Sequence, residues 1–82
     1  MTLIPQLLLL LRRAGNLLTP EPTLRVDLRL AVSPAPSGTE ISEAIDKCER
    51  QGWIISVRDD MTDELKWRIT DAGRASLAER GL

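Results

Sequence analysis

Leu3 and Ile4 precede Pro5, and an unbroken run of Leu7, Leu8, Leu9, Leu10 and Leu11 ends at Arg12 and Arg13. Leucine is a strong helix former, and proline in a first helical turn sacrifices no hydrogen bond. The pattern therefore predicts a helix over 3–14, stopped by Gly15-Asn16. Successive helical residues turn by about 100°, so five consecutive leucines cover every side of it. A surface helix needs only one apolar stripe. Leucine all round implies that a second side is also covered, and in so short a chain the expected cover is another copy. Leu7, Leu8, Leu9, Leu10 and Leu11 are thus the candidate dimer or partner contacts.

The next segment carries two patterns at once. Leu24, Val26, Leu28, Leu30 and Val32 alternate with Thr23, Arg25, Asp27, Arg29 and Ala31, which argues for a strand. Leu24, Leu28, Ala31 and Val32 also fit a helical stripe. Ahead of them, Thr19-Pro20-Glu21 reads as a cap, a first-turn proline and an acid suited to a helix start. The local pattern alone favours the strand.

From Ser33 onward the punctuation is clearer. Ser33-Pro34-Ala35-Pro36 is a turn. Ser37-Gly38-Thr39-Glu40 is a capping box, followed by an apolar stripe of Ile41, Ala44, Ile45 and Cys48, with Gly52 as the stop. Residues 53–58 and 65–70 are β-prone and joined by the polar stretch 59–64, so a hairpin is expected. Pairing Val57 with Trp67 and Ile55 with Ile69 keeps one face wholly apolar. Thr70 or Asp71 then caps a last helix that runs to Arg80 and stops at Gly81.

The composition narrows the chemistry. At 82 residues this is one small α+β domain, mostly helical. His, Tyr and Phe are absent. Without histidine, Ser-His-Asp and Cys-His catalysis and histidine metal sites are excluded. A single Cys excludes an internal disulfide or a cysteine-rich zinc site. Trp53 and Trp67 are too few for a base-stacking sheet. No catalytic residue, cofactor or metal is expected, and the chain reads as a non-enzymatic binding module. The N-terminal apolar run has its positive charges behind it, the reverse of a secretory signal, and is far short of the ~20 residues that span a bilayer. A cytoplasmic protein with one reduced thiol, away from membranes, follows as the expectation. Asp59, Asp60, Asp63 and Glu64 lack the glycine and frame of a calcium loop. Gly73 reads as a site of close helix–sheet approach.

Two stretches resemble winged helix-turn-helix regulators. Ala44-Ile45-Asp46-Lys47-Cys48-Glu49-Arg50-Gln51-Gly52-Trp53-Ile54 looks like a recognition helix running into a wing strand. Leu65-Lys66-Trp67-Arg68-Ile69-Thr70-Asp71-Ala72-Gly73-Arg74-Ala75, with Leu77, looks like the second wing strand and final helix. The resemblance covers roughly residues 19–80. It implies a helix-turn-helix over 20–52, hence a helix rather than a strand at 20–32, a wing hairpin at 53–70 and a last helix at 71–80. It further implies that the polar face of 37–51 meets the DNA major groove and the loop at 59–64 meets its backbone.

The charge placement opposes that use. The formal net charge is −1. Residues 37–52 set Glu40, Glu43, Asp46 and Glu49 against Lys47 and Arg50. Residues 53–64 set Asp59, Asp60, Asp63 and Glu64 against Arg58 alone. Affinity for DNA comes mainly from Lys and Arg on phosphates, so the two segments that would meet DNA are the two acidic ones. The candidate nucleic-acid contacts are Arg25, Arg29, Lys47, Arg50, Lys66 and Arg68. Solvated faces account for the same residues. A protein-binding winged helix, dimerising or holding a partner through its first helix, stands ahead of a DNA-binding regulator.

Overall fold

The computed structural model describes residues 3–82; residues 1–2, the start of the expected single domain and of the stretch weighed as a signal, lie outside it. Helix α1 spans Leu3–Ala14, strand β1 Thr19–Pro20, helix α2 Glu21–Ala31 and helix α3 Gly38–Arg50. Strands β2 (Ile54–Arg58) and β3 (Leu65–Ile69) form the hairpin, and α4 covers Asp71–Glu79. The sheet is antiparallel in the order β1-β3-β2. The class is α+β and mostly helical, as expected.

Helix α1 is the centre of the domain. It packs against α2, α3, β3 and α4. Leu7, Leu8 and Leu11 are fully buried, and Leu9 and Leu10 are half-buried against the same core. This corrects the inference drawn from the leucine run. A helix surrounded by four elements of its own chain needs apolar residues all round. Leu7, Leu8 and Leu11 therefore have no surface to offer a partner, whereas Leu9 and Leu10 keep part of theirs.

Residues 21–31 are helical, with Leu24 and Leu28 in the core. The alternation is resolved by exposure: Val26 and Leu30 fall on the opposite side of α2 and face outward. Ala31 is exposed and does not join the expected stripe, whereas Val32 is half-buried. The helix start also differs. Pro20 is the N-cap and makes no side-chain bond, Pro22 lies in the first turn, and Thr19 caps nothing. Thr19 and Pro20 instead pair with Trp67 and Lys66 as a third strand that the sequence did not announce.

Helix α3 begins as read. The Glu40 N–H donates to Ser37 Oγ (3.1 Å) and the Ser37 N–H donates to Glu40 Oε1 (3.0 Å). Ile41, Ala44, Ile45 and Cys48 are all buried. Gly52 ends the element at φ +76°, a conformation that suits glycine.

The hairpin register is one residue away from the expected pairing. Ile54 faces Ile69, Ser56 faces Trp67 and Val57 faces Lys66. Both ends fix it: the Thr70 N–H donates to the Trp53 carbonyl (2.9 Å) and the Asp59 N–H to the Glu64 carbonyl (2.9 Å). A slip of one residue exchanges the faces. Ile54, rather than Ile55, enters the core, and Ile55 and Val57 go to the outer face beside Arg68 and Lys66. The expected pairing kept one face wholly apolar; the bridge between Trp53 and Thr70 overrides it.

Thr70, not Asp71, caps α4, accepting from the Gly73 N–H (3.1 Å). Arg80 is the C-cap. Gly73 is buried, and a Cβ there would collide with the Trp53 carbonyl oxygen and lie 2.7 Å from Ile69 Cγ1. The helix thus lies directly on the start of the hairpin.

Candidate interaction surface

An open groove of about 630 Å³ lies between the end of α1 and α2. Leu10 and Leu24 form part of its lining, together with Leu17, Leu18 and Leu30. Leu17 is 75% exposed and Leu30 82%. These are large apolar side chains left in water beside other apolar side chains, the pattern that marks contact surfaces. Val26, 55% exposed, extends the outer side of α2.

Local chemistry fixes these residues where they are. Helix α1 ends in a turn in which the Gly15 N–H donates to the Arg12 carbonyl (3.0 Å) and the Leu17 N–H to the Ala14 carbonyl (3.1 Å). Two residues later Thr19 is paired with Trp67. The connection is held at both ends, so Leu17 and Leu18 are presented on a short anchored segment. One side of the groove carries Arg13 and the other Asp27, and neither takes part in an ion pair among the described residues.

None of Leu17, Leu18, Val26 and Leu30 was singled out from the sequence. The available signal was the conflict over residues 23–32. Once that segment is a helix with Leu24 and Leu28 inside, Val26 and Leu30 have to lie outside.

The six candidate nucleic-acid contacts do not converge. Arg25 is turned into the α2–α3 junction, with Nη2 donating to Ser42 Oγ (2.8 Å), Nη1 to the Gly38 carbonyl (3.3 Å) and Nε to Glu21 (3.4 Å). Arg50 pairs with Asp46 at 2.9 Å. Lys66 reaches Asp59 at 3.4 Å from the outer face of β3. Arg29, Lys47 and Arg68 make no ion pair among the described residues, and they sit on three different elements.

The loop at 59–64 is built from its own acids. Asp59 Oδ1 accepts from the Met61 N–H (2.9 Å) and the Thr62 N–H (3.4 Å). The Met61 N–H is the chief reason that the Asp59 carboxyl is held below its ordinary range, with Thr62 and Lys66 adding to it against a partial loss of solvation. Arg58 closes on Asp63 at 3.1 Å. Among the described residues, no group of three or more acids, cysteines and histidines is arranged to hold a metal ion. Cys48 is buried, and burial pushes its thiol up to about 11, outweighing the opposite pull of Arg80 and Lys47. A thiol so placed is a core side chain and a poor nucleophile. No helix among the described residues is long and apolar enough to cross a membrane.

No protein-family model matches the chain, and no curated protein or solved structure matches it either.

Proposed function

We propose that the chain is a non-enzymatic winged-helix binding module that works through protein contact on its α1–α2 face. The element order supports the winged-helix reading. A helix and a short strand precede two helices joined by a turn, a hairpin follows, and the short strand pairs with the second hairpin strand. The observation that carries the protein-contact reading is the groove, where Leu17 and Leu30 stand in water beside Leu10 and Leu18.

The same topology favours a second reading, in which α3 enters a DNA groove and the hairpin touches the backbone. Electrostatics weigh against it. Arg50, Arg58 and Lys66 are each matched to a neighbouring carboxylate. Glu43, Glu49, Asp60 and Glu64 have no basic partner in an ion pair among the described residues. Phosphates approaching that surface meet net negative charge.

Titrating a labelled mixed-sequence duplex with the protein, and reading fluorescence anisotropy, separates the two. No rise is expected at tens of micromolar protein in low salt. Binding with a dissociation constant of roughly 10⁻⁴–10⁻⁶ M that weakens steeply with salt would overturn the protein-contact reading in favour of DNA.

A further inference from the structure

We infer that the occupant of the α1–α2 groove is the same groove of a second copy, joined about a two-fold axis; the inference rests on the protein-contact reading above. In a two-fold interface the same patch meets itself, so a residue i that touches j is matched by j touching i. Such a patch must complement itself in charge. This groove does so: Arg13 lines one side, Asp27 the other, and neither forms an ion pair among the described residues. Facing a copy of itself, Arg13 meets the partner's Asp27, and Asp27 meets the partner's Arg13. The apolar content is likewise self-matching. Leu17 and Leu30 project from the groove margins, and Leu10 and Leu18 line it, so the projecting leucines of one copy have a leucine-lined concavity to enter in the other.

The scale sets the strength. A standard interface takes about 800 Å² from each partner, roughly a sixth of the 5096 Å² that this chain exposes. An open groove flanked by a few exposed apolar side chains offers a smaller contact than that, so the dimer is expected to be concentration-dependent.

Sedimentation velocity from micromolar to near-millimolar protein tests this. The weight-average mass is expected to rise with concentration from 9.1 kDa towards twice that value. Leu30→Glu, at a site that is 82% exposed and so tolerates the change in the fold, is expected to hold the chain at monomer mass throughout. The charge pair gives a sharper readout. Arg13→Asp alone and Asp27→Arg alone each set like charges against each other twice, and each is expected to weaken self-association about tenfold or more. Mixed together, the two variants restore both attractive pairs and are expected to associate with each other at wild-type strength. A wild-type chain that stays monomeric at every concentration would overturn the inference while leaving the protein-contact reading to the DNA titration. Dimerisation of Leu30→Glu at wild-type strength would remove this groove as the interface. Failure of the mixed variants to associate would remove the two-fold exchange of Arg13 and Asp27.

Discussion

Gly73→Ala is the substitution whose effect is best fixed by the structure, because two opposing effects can be compared. Alanine is favoured over glycine inside a helix by about 1 kcal/mol, and Gly73 lies in the first turn of α4. Propensity alone therefore predicts stabilisation. Against it, the added methyl collides with the Trp53 carbonyl oxygen and comes within 2.7 Å of Ile69 Cγ1. The carbonyl cannot retreat freely, since it accepts the Thr70 N–H at 2.9 Å and that bond fixes the hairpin register. Ile69 is buried in the core. Overpacking of this kind costs about 1–3 kcal/mol, and collision with a fixed backbone atom lies at the upper end. The net expectation is a loss of about 1–2 kcal/mol, out of roughly 4–12 kcal/mol for a domain of this size. Urea unfolding followed by tryptophan fluorescence measures it, through a lower midpoint at unchanged slope. A midpoint equal to or above wild type would refute the argument that helix and hairpin are in contact at Gly73.

Three further outcomes follow from the same reasoning. Ser37→Ala removes one half of the α3 capping box and is expected to cost about 1 kcal/mol in the same urea assay. Arg25→Ala breaks the polar tie between α2 and the start of α3 and is expected to cost about 1 kcal/mol; an unchanged midpoint would return Arg25 to the set of free surface bases. The third concerns pH. The Cys48 thiol is raised by burial from 9.0 to about 11 in the folded chain, so between these values the unfolded state is the more deprotonated. Stability from this group is complete below pH 9 and declines as pH rises towards 11. Unfolding midpoints measured across that window should fall more steeply for wild type than for Cys48→Ala; parallel profiles would count against a buried thiol.

Much of the backbone was legible because its signals are local. The Ser37/Glu40 box, the stripe of Ile41, Ala44, Ile45 and Cys48, and the Thr70 cap all act within one or two helical turns. The strand β1 left no trace, since two residues have no periodicity and Thr19-Pro20 carries a helix-start signature. The hairpin register was misread because pairing apolar with apolar is a rule about the hairpin alone. The actual register is set by where Gly52 releases the chain and by the bond from Thr70 to Trp53. The leucine run was recognised as needing cover on all sides, but the identity of the cover was a tertiary fact: α2, α3, β3 and α4 supply it. The apolar surface then fell elsewhere, on Leu17 and Leu30. Of the six bases, the sequence had no means of telling Arg25, bound into the α2–α3 junction, from Arg29, which lies four residues further along the same helix.

Strand β1 has one consequence beyond completing the sheet. It forms one margin of the sheet, is only two residues long, and one of them is Pro20, which has no N–H to give. A foreign strand arriving there finds almost nothing to pair with. The opposite margin, β2, presents five residues and no proline. The sheet can therefore be lengthened on one side only. Molecules that met through their sheets would join margin to margin as a closed couple, and the stacking of strand upon strand that builds fibres would stop at the second molecule.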